Sequence, residues 1–279
     1  MSEFFSNRVM IIATKHEKEK FLAPIFNARL GVTCRVARNL DTDQLGTFTG
    51  EQPRLLEPQA AARRKCELAL ELENADLALA SEGSFGIHPL NPFGSANEEW
   101  LYFMDRKNNL ELAISEISFD TNYAFSWVES EDELKDFAAQ VNFPSHALIL
   151  RVSPHSTESI QKGISSWIDL VVAFKSLHKL YGKVYIETDM RAMHNPARQQ
   201  VITKAAFQLV ARLESTCPVC SYPGFGVISK VKGLPCALCR TPTQSVLKTI
   251  VGCMGCGYRQ ELNPENKFET PQYCDVCNP

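Results

Sequence analysis

Short apolar runs alternate with longer stretches of helical period along most of the chain, and the alternation predicts its elements. Arg8 to Thr14 reads as a buried first strand, followed by a helix to about Leu30 that turns Phe21, Ile25 and Phe26 inward. Gly31 is its stop, and Pro24 either starts its firm part or kinks it. Val32 to Arg38 is a second strand, and Asn39 to Glu57 is a polar loop expected to lie over the site. Pro58 opens a helix to Glu73, and Ala75 to Glu82 is a strand broken at Gly83. Glu99–Asp105, Leu112–Ser118 and Thr121–Val128 read as an antiparallel meander with a turn at Lys107-Asn108-Asn109. Glu131 to Val141 is a helix and His146 to Val152 a strand. Ser156 caps a helix whose Ile160, Ile164, Trp167, Val171, Phe174 and Leu177 recur at helical spacing. Lys183 to Thr188 is a strand, and Asn195-Pro196 caps a last helix to about Leu213. The expected class is α/β: a three-layer mixed-sheet domain over residues 1–216, then a small cysteine-rich zinc-ribbon domain over 217–279.

The pattern changes at residue 217. Four Cys-x-x-Cys pairs follow: Cys217/Cys220, Cys236/Cys239, Cys253/Cys256 and Cys274/Cys277, with gaps of 15, 13 and 17 residues. Each pair curls the backbone into a knuckle that aims two sulfurs at one point, and two pairs make the tetrahedral four-thiolate set that zinc prefers. The eight cysteines predict two structural Zn²⁺ sites, closed because each has four protein ligands. A strand from Gln244 to Val251 would carry the chain away from Cys239, which disfavours a site shared by the second and third pairs. Two consecutive ribbons are preferred, first pair with second and third with fourth; an interleaved cross-brace stays open. Cys34 and Cys66 read as small buried hydrophobes.

Composition adds limits. At 279 residues and 44% apolar, the chain can bury a sizeable core, and its net charge of −3 gives no global basic field. Residues 217–279 hold six basic and four acidic side chains, a net of +2 that leaves −5 for the rest. No apolar run reaches membrane-spanning length, and Met1-Ser2-Glu3 does not open a signal peptide. A cytoplasmic protein with no membrane partner is expected.

Ligands of α/β proteins gather outside the carboxyl ends of strands, and three polar clusters fall there. They are Thr14, Lys15, His16 and Lys18; Ser81, Glu82 and Ser84; and the run from Thr188 to Arg198. In the third, a strand end meets a capped helix start, where free amides favour an anion. Arg191 and Arg198 would clamp phosphate or carboxylate, Asp189 would hold a metal or orient an arginine, and His194 would move a proton. The competing reading is structural: Asn195 as a cap, and Asp189 paired with Arg191 or Arg198. Glu82, on a Gly-flanked strand end, suits a Mg²⁺ ion when the substrate carries phosphates.

Ala13-Thr14, the Ala60-Ala61-Ala62-Arg63 helix and the run Ala75 to Gly83 resemble, in this order, the motifs of inosine/xanthosine triphosphate pyrophosphatases over residues 9–128. The resemblance implies a mixed α/β fold, a Mg²⁺ ion held by Glu82, phosphate contact by Thr14, and hydrolysis of nucleoside triphosphate to monophosphate and pyrophosphate. His16 stands where that family has asparagine. The whole chain also resembles an uncharacterised bacterial family with a zinc-ribbon carboxyl end, through Thr188-Asp189-Met190-Arg191-Ala192, His194-Asn195-Pro196 and Cys274-Asp275-Val276-Cys277-Asn278-Pro279.

Two functions follow. The first is an enzyme, of hydrolase type, acting on a phosphorylated or otherwise anionic small molecule such as a nucleotide. Its catalytic residues would be Glu82, Asp189 and His194, and its substrate would be held by Thr14, His16, Lys18, Arg191 and Arg198. The alternative is a zinc-ribbon module that contacts nucleic acid or protein, with Tyr222, Phe225, Tyr258, Phe268 and Tyr273 stacking on bases.

Overall fold

The computed structural model describes residues 4–42, 46, 54–88, 91–154 and 156–279. Most of the expected loop 39–57 lies outside the described residues. The described residues divide into two compact units, Phe5–Leu209 and Val210–Pro279, the second including Phe4.

The first unit holds two sheets. In the larger, ordered β2-β1-β3-β4-β5, β1 (Val9–Ala13) runs parallel to β2 (Thr33–Val36) and to β3 (Leu77–His88). The long β4 (Asn91–Asp105) and β5 (Leu110–Ser118) add on antiparallel. Helix α1 (Glu19–Leu30) contains Pro24 and stops at Gly31, whose φ of 68° is the left-handed conformation that glycine adopts without strain. Helix α2 (Pro58–Glu73) begins with its proline, as expected. It lays Ala62, Cys66, Ala69 and Leu70 on Ala78, Ala80, Tyr102 and Met104, the even-numbered face of the β3–β4 pair. Strand alternation puts Ser81, Gly83 and Glu99 on the opposite face. There α5 (Pro196–Glu214) reaches down with Arg198 to Glu99 and with Lys204 and Gln208 to Glu116. Helix, sheet and helix make the three layers.

The second sheet, ordered β6-β9-β7-β8, is antiparallel throughout. Its strands are β6 (Phe125–Val128), β7 (Leu148–Arg151), β8 (Gln161–Ile164) and β9 (Val184–Thr188). Helices α3 (Glu131–Gln140) and α4 (Trp167–Tyr181) cover one face through a core of Val128, Leu148, Leu150, Phe174, Val184 and Ile186.

Several expected elements differ. Strand β3 is not broken at Gly83 but runs on to His88, and β4 starts at Asn91 rather than Glu99, because the two pair as one long hairpin. The third meander strand leaves β5 and pairs with β9 in the second sheet. Helix α4 starts at Trp167 with Ser166, not Ser156, as its cap; the Ser166 hydroxyl accepts from the Asp169 amide. Gly163, at φ 70°, stops the helical pattern, so Ile164 belongs to a strand and matched the helix period by coincidence. Among the described residues, no helix is long and apolar enough to cross a membrane.

The second unit is a three-stranded antiparallel sheet, β10 (Gly226–Lys232), β11 (Val246–Gly252) and β12 (Arg259–Leu262), with a cysteine knuckle at each turn of the path.

Candidate functional site

The four knuckles share one local bond. The amide after the second cysteine donates to the carbonyl of the first: Ser221 to Cys217 at 2.9 Å, Arg240 to Cys236 at 3.1 Å, Gly257 to Cys253 at 3.2 Å and Asn278 to Cys274 at 2.9 Å. The turn residues Ser221, Arg240 and Gly257 take left-handed φ values, which closes the loop tightly enough to converge two sulfurs. Two tetrads result, Cys217/Cys220/Cys253/Cys256 and Cys236/Cys239/Cys274/Cys277, each with its sulfurs within 4.8 Å of one another. The closest cross-pair sulfurs lie 3.6 and 3.8 Å apart in the first and 3.5 and 3.9 Å in the second. A tetrahedron with arms of ~2.3 Å needs about 3.8 Å, so the donor sets fit two structural metal ions, and four thiolates are zinc's own set.

The pairing is first with third and second with fourth, which corrects the preferred consecutive ribbons. The reason is β10, which the sequence reading passed over. It carries the chain from the first knuckle to the second; β11 brings it back, so that Gly226 pairs with Gly252 beside the first site and Lys232 with Val246 beside the second.

In the first unit, the predicted polar residues separate into two groups. One forms where β1 ends. Strand β3 continues past Ala80, the last residue paired to β1, so its Ser81 and Gly83 carbonyls face the space that β1 vacates. Cationic side chains fill it. Lys18 Nζ donates to Ser81 Oγ at 2.8 Å and to Ser81 O at 3.2 Å, and Arg54 Nη2 donates to Gly83 O at 2.7 Å. Glu82, on the α2 face, is bridged by Lys65 and approached by Arg54 at 3.6 Å. On the other face Arg198 grips Glu99 with two bonds, Nε–Oε1 at 2.6 Å and Nη2–Oε2 at 3.2 Å, and donates to Met190 O. Gly83 makes that grip possible: a Cβ there would overlap the Glu99 carboxylate and lie 2.7 Å from Arg198 Nη2. Lys18, Glu82, Glu99 and Arg198 are all buried. Asn97, two residues from Glu99 on the same face, buries an Oδ1 with no partner among the described residues.

Charge is unbalanced here. Among the described residues, Lys18, Arg54, Lys65 and Arg198 stand around the carboxylates of Glu82 and Glu99. Burial, and then the nearby Arg198 charge, push Lys18 down to about 7. Burial pushes the Glu82 carboxyl up, but the Lys65 and Lys18 charges outweigh it and hold it below its usual value.

The second group gathers at the end of β9. Asp189 is fully buried, and its carboxylate accepts from the Gly163 amide at 3.0 Å, the Arg191 amide at 3.1 Å, and the Arg191 guanidinium through Nε at 3.0 Å and Nη2 at 2.6 Å. That is the structural pairing weighed against metal binding. His194 packs on Gly163, and burial holds its ring below the usual value. The start of α5 is satisfied from within. Asn195 Oδ1 accepts from the Arg198 amide at 2.9 Å and His146 Nε2 accepts from the Ala197 amide at 3.2 Å. The amides expected to greet an anion are therefore occupied. Burial keeps His146 below its ordinary value, the neutral form this acceptor role requires.

Of the remaining candidates, Thr14 is buried and its hydroxyl accepts from the His16 amide, while Lys15 reaches Asp41 at the surface. The sequence reading missed Arg54, Lys65, Glu99 and His146. Glu99 left one signal, a carboxylate next to the apolar run Trp100 to Met104 and in register opposite a glycine.

A family model for a domain of unknown function, DUF6671, matches residues 65–279. The chain belongs to the DUF6671 family. The matched DUF6671 segment runs through both units and contains Lys65, Glu82, Glu99, Asp189, Arg198 and all eight paired cysteines; Thr14, Lys18 and Arg54 precede it. A search of curated proteins finds no match.

Proposed function

We propose that the Phe5–Leu209 unit binds a phosphate-bearing small molecule, such as a nucleotide, at the Lys18–Lys65–Arg198 cluster and acts on it, while the two tetrads hold structural zinc. One observation carries the reading: among the described residues the buried Lys18 bonds only to Ser81, beside the Lys65–Glu82 and Arg198–Glu99 pairs that use both carboxylates, so negative charge is what the cluster lacks. An incoming phosphate supplies it and restores the charged form of Lys18, which burial otherwise makes costly. Chemistry at phosphorus suits such a site, because it asks mainly for positioning and charge neutralisation. Lys65 and Arg54 already hold the Glu82 carboxylate, so a Mg²⁺ ion would enter bound to the substrate's phosphates rather than on Glu82.

The nucleic-acid alternative draws less support. Phe225 and Tyr258 stack on each other, Tyr222 packs edge-on against Phe4, and Arg240 covers Phe268. These contacts take up one side of each ring, Tyr273 stays exposed, and the six basic residues of 217–279 attract a polyanion only weakly.

Thermal unfolding of the wild type and of Lys65→Met with phosphate, pyrophosphate and nucleotides tests the proposal. A ligand at a hundred times its Kd should stabilise the wild type by about 2.7 kcal/mol, and Lys65→Met should lose most of that gain. If no anion raises the wild-type midpoint, the proposal fails.

A further inference from the structure

Beside the cluster lies a pocket of about 160 Å³ at the carboxyl end of β9, with Arg54, Phe85, Tyr123, Glu187 and Arg191 in its walls. Ordinary ligand pockets measure ~300–1,000 Å³, so this one suits a single ring rather than a whole ligand. We infer that it takes a nucleobase, and that Glu187 reads the base by accepting from its N–H edge. The inference rests on the phosphate reading and names the substrate class of that site.

Three features carry it. The first is a flat aromatic wall: Phe85 and Tyr123 stack at 5.9 Å with their planes 24° apart. Stacking on aromatic side chains holds bases in many protein sites. The second is continuity with the cluster. Arg54 lines the pocket and also touches Gly83 O and Glu82, while Arg198 lies 5.2 Å over the Phe85 ring. One molecule with a ring in the pocket and its phosphate at the cluster would meet Arg54 between them.

The third feature is Glu187. Its Oε1 is bound by Arg151, and its Oε2 accepts nothing from any described residue. Burial raises this carboxyl above its usual value despite the Arg151 charge. A carboxylate so placed gains from N–H donors. A cationic ligand is disfavoured, because among the described residues lining the pocket Arg54 and Arg191 offset the charges of Glu187 and Asp189. A neutral ring with donor hydrogens meets neither penalty.

Calorimetric titration of the full-length, metal-loaded protein tests this. The ligands are the four common ribonucleoside 5′-monophosphates, ribose 5-phosphate and choline phosphate. At least one nucleotide should bind tenfold or more tighter than ribose 5-phosphate. Glu187→Gln and the more exposed Tyr123→Ala should each cut that margin threefold or more and leave ribose 5-phosphate binding unchanged. Tyr123→Ala keeps the test alive if loss of the Arg151 partner unfolds Glu187→Gln. If ribose 5-phosphate binds as well as every nucleotide, or the margin survives in the folded variants, the base site is overturned and the phosphate reading stands. Choline phosphate binding tightest would also overturn it, in favour of a cation cage. If none of these ligands binds, both readings fall together.

Discussion

The metal tetrads and the buried ion cluster solve opposite electrostatic problems. Each tetrad collects four groups that become like-charged when they ionise, so their mutual repulsion works against the knuckles and a bound cation offsets it. The cluster interleaves opposite charges, so it holds itself together and keeps a surplus of one sign. The first arrangement makes stability depend on a bound ion. The second accepts an internal cost and leaves an attraction for a ligand. The difference teaches where each unit is vulnerable: one to chelation, the other to single substitutions and to pH.

The largest expected effect is on the tetrads. Purified protein should contain about two zinc ions per chain by elemental analysis. Chelation should remove amide-exchange protection from Val210–Pro279 while Phe5–Leu209 keeps its own, because binding worth about 10–16 kcal/mol for a structural zinc is folding energy. Loss of protection in both units together would erase the comparison.

Next is the Glu99–Arg198 pair. Glu99→Leu or Arg198→Met alone strands a buried charge and should cost ~3–5 kcal/mol in denaturant unfolding. The double variant should cost less than either single. If it costs their sum, the two residues act independently and the pair is no unit. Gly83→Ala should cost about 1–3 kcal/mol by crowding the same carboxylate.

The smallest effect sharpens the cluster's cost. Lys18 binds fewer protons folded than unfolded between about 7 and its ordinary value of 10.5, so its contribution to stability rises with pH across that window. The gain is at most about 1.4 kcal/mol per pH unit. Wild-type stability should climb from pH 7 to 9 more steeply than that of Lys18→Met, and phosphate affinity should fall over the same range as the ammonium is lost. Parallel pH profiles for the two proteins would show that Lys18 carries no such cost.

The same contrast explains how much was legible in the sequence. A cysteine knuckle is a local object, with ligands three residues apart, so its spacing announces it before any fold is known. Helices α2 and α5 were legible for a similar reason: Pro58 and Asn195-Pro196 mark their starts. Glu99 and Arg198 stand 99 positions apart and Lys18 and Ser81 stand 63 apart; no local pattern links them. Lys65 follows Arg63 and Arg64 on the same helix, and nothing local shows that it alone turns toward Glu82. The interleaving of the tetrads was hidden behind β10, whose Ser229, Lys230 and Lys232 dilute its apolar signal.

Interleaving has a consequence for assembly. The segment that must fold back to complete the first tetrad, between Cys220 and Cys253, already contains Cys236 and Cys239 of the second. Closing either centre therefore shortens the free loop that the other must close, and the entropy of closure falls with that length. Two consecutive ribbons could load one after the other as separate modules. Here the first ion prepares the ground for the second, so on slow metal titration half-loaded chains should be scarcer than independent sites would give.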